Sequence, residues 1–236
     1  MNRLVGMILK RFPRVIGKYF KLRRHAKHPE RYTEQERWDN LKAMMATLIE
    51  GGNLDFVVTG VENIPKEGGF MLYGNHQGLF DVIAIAATCP RPLGVVYKKE
   101  LSNTPVLKLI YKSTKSFAMD REDVRQSLTV INQVTEEVKN GRRYLIFPEG
   151  TRSKKGNEML EFHGGSFRCA VKAKCPVVPM ALVDSFKVLD QKSKGRLRVQ
   201  IHYLPAILPE EFEGLKAAQL ADMVKNRIRD CMKENI

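Results

Sequence analysis

From about residue 54 onward, short β-rich runs alternate with helical patterns, and this alternation restricts the chain to few folds. The runs are residues 56–58, 70–73, 93–97, 144–147, 177–182 and 197–203. Helical patterns cover 81–88, 105–112, 121–140, 166–173 and 217–232, with Asn140 and Gly141 as a stop for the long one. Strands alternating with helices predict an α/β fold with a mixed, largely parallel sheet flanked by helices. Residues 190–198 are polar and read as a surface connection. In such sheets ligands bind beyond the carboxyl ends of the strands.

Residues 1–50 have a different pattern. Leu4, Val5, Ile8, Leu9, Phe12, Val15, Ile16, Tyr19 and Phe20 recur at steps of three and four, on one helical face. Arg3, Lys10, Arg11, Arg14, Lys18, Lys21, Arg23 and Arg24 flank that face, and the first acid is Glu30. A basic amphipathic helix of this kind suits a bilayer interface. Pro13 should kink or divide it. A second stripe, Trp38, Leu41, Met44, Met45, Leu48 and Ile49, stops at Gly51 and Gly52. Either stripe can instead pack on the main core, the ordinary fate of an amphipathic helix. The expected division is an amphipathic two-helix membrane-association unit over 1–50 and an α/β domain over 51–236.

Forty Lys and Arg against 26 Asp and Glu give the 236 residues a formal charge of +14, which favours an anionic partner. No apolar run reaches the roughly 18 residues of a spanning helix, and no signal peptide is expected. Cys89, Cys169, Cys175 and Cys231 have no zinc spacing and are too sparse for a disulfide framework, so a reducing compartment is expected. There is no Gly-x-Ser-x-Gly elbow, phosphate-binding loop, dinucleotide fingerprint or His-Glu-x-x-His pair. His163-Gly164-Gly165-Ser166 reads as a loop entering a helix. No nucleic-acid recognition module is found, and no metal site is expected.

Two polar clusters fall at strand carboxyl ends. The first is Asn75-His76-Gln77-Gly78-Leu79-Phe80-Asp81. On one continuous helix His76 and Asp81 would lie about 140° apart. With His76 in a loop and Asp81 in the first helical turn they can meet, and the imidazole becomes a candidate general base. The second cluster is Phe147-Pro148-Glu149-Gly150-Thr151-Arg152-Ser153. Gly150 permits a close turn, Arg152 offers a fork for phosphate or carboxylate, and Glu149 can accept from a hydroxyl or orient a base. Lys99 and Arg121 follow two further runs and can join Arg152 around one anionic group. Taken singly, each of these features is also what an ordinary loop, cap or surface ion pair would show.

In order, Asn75-His76-x4-Asp81, Phe117-Ala118-Met119-Asp120-Arg121, Phe147 to Ser153, and Val177-Val178-Pro179-Met180 form a four-block pattern. It resembles the glycerolipid acyltransferases, most closely the bacterial 1-acyl-sn-glycerol-3-phosphate acyltransferases, over roughly residues 50–205. The departures are Met119, where the family often has Ile, and Ala181, where it often has a second Pro. The resemblance implies His76 as base and Asp81 as its orienter. It implies Lys99, Arg121, Glu149, Gly150, Thr151 and Arg152 in acceptor binding, and Val177, Val178, Pro179 and Met180 near the acyl donor. It implies direct transfer from acyl-carrier protein or coenzyme A to the acceptor hydroxyl, with no bound cofactor and no metal. Oxyanion donors would be backbone N–H groups near Gly78 or the helix start. Anionic membrane lipid would be a partner, at the cytoplasmic face, with nucleic acid excluded. Other acceptors, such as glycerol-3-phosphate or another lysophospholipid, fit the same blocks. So, less well, does a non-enzymatic basic binding protein.

Overall fold

The computed structural model describes residues 3–192 and 195–236. Met1 and Asn2 of the N-terminal unit, and residues 193 and 194 of the polar connection, lie outside the described residues. A sheet of seven strands among the described residues forms the middle layer. The strands are β1 (Leu54–Thr59), β2 (Met71–Gly74), β3 (Gly94–Lys98), β4 (Phe117–Met119), β5 (Tyr144–Ile146), β6 (Val177–Val183) and β7 (Leu197–Tyr203). Their spatial order is β1-β7-β6-β2-β5-β3-β4. Strands β6, β2, β5, β3 and β4 run parallel, β7 runs antiparallel to β6, and β1 is parallel to β7. The expected mixed, mostly parallel sheet is therefore present.

Strand β6 shows why the sheet is central. Val178, Met180 and Leu182 join one core cluster, while Val177, Ala181 and Val183 join the other. Successive side chains alternate between faces, so a strand apolar at every position must be covered on both. One face is covered by α3 (Glu34–Glu50) and α4 (Phe80–Thr88), the other by α6 (Val124–Lys139), α7 (Arg168–Ala173) and α9 (Ala217–Asn235). Beside α3 lie α1 (Arg3–Lys10), α2 (Phe12–Lys27) and α5 (Pro105–Ser113), and α8 (Phe186–Leu189) follows β6.

The N-terminal unit is three helices rather than two. The first pattern breaks at Arg11, and Pro13 sits in the opening turn of α2. Proline fits there because that N–H has no intrahelical acceptor. The apolar stripe then divides. Ile8, Val15 and Tyr19 pack against the core beside buried Met7 and Leu22, while Val5, Leu9, Phe12 and Phe20 stay exposed. The second stripe is spent on the core: Trp38, Leu41, Met44, Met45 and Leu48 are all buried. Helix α3 begins at a Thr33–Glu36 capping box, with the Glu36 N–H donating to Thr33 Oγ1 and the Thr33 N–H to Glu36 Oε2.

Helix α6 starts at Val124, later than the expected 121. Asp123 accepts from the N–H groups of Arg125 and Gln126 and so caps the helix at Val124. Asp120, Arg121 and Glu122 are left in a turn, with Asp120 accepting from the Glu122 N–H. The segment entering α7 is a tighter 3-10 turn over Gly164–Phe167, not continuous α-helix.

Candidate active site

The parallel strands β2, β5, β3 and β4 end on one edge, which gathers the polar clusters. Strand β2 ends at Gly74, where a side chain would crowd Met180: a Cβ there would lie 2.3 Å from Met180 Cε and 3.2 Å from its carbonyl oxygen. Asn75 then continues the ladder with its side chain. Its Nδ2 donates to the Leu182 carbonyl at 2.9 Å, and its Oδ1 accepts from the Leu182 N–H at 2.8 Å. The next residue, His76, therefore leaves the sheet from a fixed point.

His76 Nδ1 lies 2.7 Å from Asp81 Oδ2. The same oxygen accepts from the N–H groups of Gln77 at 2.7 Å and Gly78 at 3.0 Å. The second oxygen, Oδ1, accepts from the Ser185 hydroxyl. Asp81 is 0% exposed and sits in the first turn of α4, where the helix dipole favours an anion. With Nδ1–H directed at the carboxylate, Nε2 carries the lone pair that can receive a proton. The imidazole also stacks on Phe147 at 4.0 Å between centroids and 14° between planes, which fixes its second degree of freedom.

The Phe147–Ser153 turn is fastened to the same loop. Glu149 Oε1 accepts from the His76 N–H at 2.7 Å, and Oε2 accepts from the Leu160 N–H at 2.9 Å. The Ser153 N–H donates to the His76 carbonyl at 2.9 Å. Burial pushes the Glu149 carboxyl above its ordinary value, and the amides of His76 and Leu160 pull against that. Glu149 is 2% exposed with both oxygens occupied, so it braces the main chain of His76 and faces no acceptor. Gly150 turns at φ +71°, a left-handed conformation that a side chain would strain, and Thr151 is exposed beyond it.

Arg152 is half-buried. Its Nη1 lies 2.5 Å from Asp190 Oδ1, while Asp190 Oδ2 accepts from the Leu79 N–H at 2.9 Å. These residues border a cavity of about 350 Å³ lined by Gln77, Arg152, Lys154, Phe186 and Asp190. Lys99 and Arg121 lie on the opposite flank, after β3 and β4. Lys99 Nζ is 3.2 Å from Asp120 Oδ2, which holds that carboxyl below its ordinary range. The structure thus does not gather Lys99, Arg121 and Arg152 onto one group: Arg152 turns toward α8 and Lys99 toward Asp120.

Two further expectations shift. Val177, Val178, Pro179 and Met180 are buried in the middle of the sheet and line no open surface. They serve the site indirectly, by carrying the chain on to Leu182 and Ser185. The backbone donors expected near Gly78 are also engaged, with Gln77 and Gly78 on Asp81 and Leu79 on Asp190. Sequence reasoning missed Ser185, Gln77, Asn157 and Asp190. None stands in a recognisable pattern, and Ser185 is 104 positions from the carboxylate it meets. Among the described residues no group of His, Cys, Asp or Glu side chains is arranged to hold a metal ion.

The arrangement is a buried carboxylate, an oriented imidazole with a free nitrogen, and a guanidinium beside a cavity, with no activated nucleophile among them. Such a constellation has the groups needed to take a proton from a bound hydroxyl and to hold an anion. A family model described as Acyltransferase matches residues 55–183, the span containing all these groups except Asp190 and Ser185. The chain is 34% identical over 183 residues to a 1-acyl-sn-glycerol-3-phosphate acyltransferase of Helicobacter pylori, covering 72% of this chain and 77% of that one. It is 30% identical over 187 residues to the enzyme of the same name from Saccharomyces cerevisiae, covering 77% of this chain and 61% of the yeast protein. The fold is also that of the 1-acyl-sn-glycerophosphate (LPA) acyltransferase of Thermotoga maritima, with a TM-score of 0.75, 21% identity and 97% of each chain covered. A His76–Asp81 pair on this sheet, within the matched span and alongside these relatives, makes the chain a member of the acyltransferase family.

Proposed function

We propose that this acyltransferase moves a fatty acyl group from a thioester of coenzyme A or acyl-carrier protein to the free hydroxyl of 1-acyl-sn-glycerol-3-phosphate, giving phosphatidic acid. The observation that carries the chemistry is the 2.7 Å contact between His76 Nδ1 and Asp81 Oδ2, which leaves Nε2 as the base. The acceptor is inferred from Arg152, a cation beside the cavity, and from the names of the relatives.

The acceptor hydroxyl is a weak nucleophile at neutral pH. His76 Nε2 takes its proton as the oxygen attacks the thioester carbonyl, a contribution of about 10²–10⁴-fold. Asp81 stabilises the imidazolium that forms. Collapse of the tetrahedral species re-forms the carbonyl and breaks the C–S bond, and the imidazolium returns its proton to the departing thiolate. Arg152 holds the acceptor phosphate and so aims the hydroxyl. The phosphate competes with Asp190 for the guanidinium.

The exposed Val5, Leu9, Phe12 and Phe20 on α1 and α2, among Lys10, Lys18 and Lys21, suit the interface of an anionic bilayer. The attachment we infer, through these exposed side chains and their flanking cations, is monotopic or peripheral, at the cytoplasmic face. No helix among the described residues is long and apolar enough to cross a membrane. A positive surface would also draw an acidic carrier protein.

The deciding experiment incubates the purified protein with lysophosphatidate and each thioester, with glycerol-3-phosphate and other lysophospholipids as competing acceptors. Phosphatidate as the dominant product supports the reading. Preferential acylation of another acceptor overturns the substrate assignment, and no transfer to any acceptor overturns the function.

A further inference from the structure

Asp81 has two carboxylate oxygens, and the family pattern accounts for one. Oδ2 faces His76 and the Gln77 and Gly78 amides. Oδ1 points into the fold, where a charged oxygen without a partner would be costly. There it meets the hydroxyl of Ser185, and both residues are 0% exposed. That hydroxyl also lies 3.0 Å from Gln77 Oε1, but the carboxylate is the closer and the charged acceptor and takes its one proton.

Ser185 is delivered to that spot by a strained turn. Asp184, the residue just after β6, has φ +62°, a left-handed conformation uncommon for a residue with a side chain. Asn157 holds the turn: its Nδ2 donates to Asp184 Oδ1 at 2.9 Å and its Oδ1 accepts from the Asp184 N–H at 2.9 Å. Gln77, the neighbour of His76, closes the loop. Its Oε1 accepts from the Ser185 N–H at 2.9 Å and its Nε2 donates to Asn157 Oδ1 at 2.7 Å. The hydroxyl is thus locked against Asp81 from the side of β6 and from the side of the base's own loop.

We propose that Ser185 is a positioning residue for acyl transfer: its hydroxyl donates to Asp81 Oδ1, holds that carboxylate in register with the imidazole, and thereby sets the orientation of His76. The inference rests on the acyl-transfer reading, in which His76 is the base. Ser185 itself touches no substrate. Removing its hydroxyl leaves Oδ1 unpaired and raises the proton affinity of Asp81. The imidazole–carboxylate pair then holds its shared proton more tightly and its base form appears at higher pH. The other charged groups around the pair are Glu149 and Arg152 after β5, Lys154 beyond them, and Asp184, Lys187 and Asp190 around α8. None of these changes in the variant.

The test uses the full chain with lysophosphatidate and an acyl thioester, and measures kcat, both KM values, the pH profile of kcat/KM and the thermal midpoint. Ser185→Ala is expected to lower kcat about 10- to 100-fold, the loss of one hydrogen bond to a charged group. KM for both substrates should stay within about twofold, because no substrate contact is removed. The acidic limb of the profile should move to higher pH. Ser185→Cys keeps the shape and weakens the donor. It should change kcat and the limb in the same directions, and it carries the test if the alanine variant melts below assay temperature. A folded variant with kcat within about twofold of the unchanged protein overturns the inference, as does a lower kcat with an unmoved acidic limb. If the unchanged protein makes no acylated product, the functional reading fails instead.

Discussion

Glu149 grips the main chain of His76: one carboxylate oxygen receives the His76 N–H at 2.7 Å while the other receives the N–H of Leu160. The carboxylate therefore sets where the imidazole begins, and Asp81 sets where it points. Glu149→Ala leaves two shielded amides without acceptors and lets the His76 loop relax. Acyl transfer should drop at least about tenfold, with a lower melting temperature. Glu149→Gln keeps one acceptor oxygen and should fall between the two. Initial rates and melting curves on the three proteins check the order.

His76→Ala should remove about 10²–10⁴ of the rate while the melting temperature changes little, since Asp81 Oδ2 keeps the Gln77 and Gly78 amides. Asp81→Asn should cost a similar or larger factor. An amide there turns an NH2 toward one of the donors that Asp81 accepts, and the imidazole loses its preferred tautomer. Single-turnover measurements of product formation distinguish these losses from weakened binding.

Arg152→Ala should raise the KM for the phosphorylated acceptor about tenfold or more and leave that for the thioester nearly unchanged, because the guanidinium serves one substrate. Arg152→Lys should recover only part, since an ammonium lacks the planar fork. Equal effects on both substrates would contradict the assignment.

His25, on α2, is 0% exposed, and neither ring nitrogen has a partner. Burial, then the charges of Lys21 and Arg37, hold its pKa below 6.5. The unfolded chain takes up this proton first as pH falls, so the stability from neutral His25 is intact above about 6.5 and drains away as pH drops toward the lowered native value. His25→Phe can still stack on Tyr32 and should flatten that part of the curve. Urea unfolding at pH 7.5 and at pH 5.5 measures the difference. An equal pH dependence in both proteins would count against it.

Replacing Phe12 and Phe20 with Ser removes two exposed rings without disturbing buried Met7 or Leu22. Sedimentation with anionic vesicles should show weaker binding at unchanged melting temperature. Binding equal to that of the unchanged protein would dismiss these rings as the contact.

The strands were legible because β6 and its neighbours are apolar at consecutive positions, a pattern that only a sheet covered on both faces accepts. The His76–Asp81 encounter was legible because it is local, five residues apart across a loop and a helix start. What stayed hidden depends on long closures. Ser185 and Asp190 reach the site only because β6 lies beside β2 and α8 beside α4, and neither residue type is unusual where it stands. The start of α6 was misjudged because Arg121 and Glu122 are good helix formers, and Asp123 reads as a first-turn acid as readily as a cap. The cations misled for a different reason. A charge at a strand end shows which edge it occupies but not which neighbour captures it, and Asp120 and Asp190 capture Lys99 and Arg152.

Strands β1 and β7 run against the rest of the sheet. Because β1 is reversed, its beginning, and with it the end of α3, lies on the edge where His76 stands. Arg3 ties α1 to that corner, donating to the carbonyl of Gly52 at 2.9 Å and to that of Gly195 at 3.2 Å, and α1 touches α8. The orientation of the whole molecule on any surface gripped by α1 is thereby geared to the direction in which the catalytic mouth opens. Two residues spliced in between Gly52 and Leu54 would tilt that mouth without altering one reacting atom.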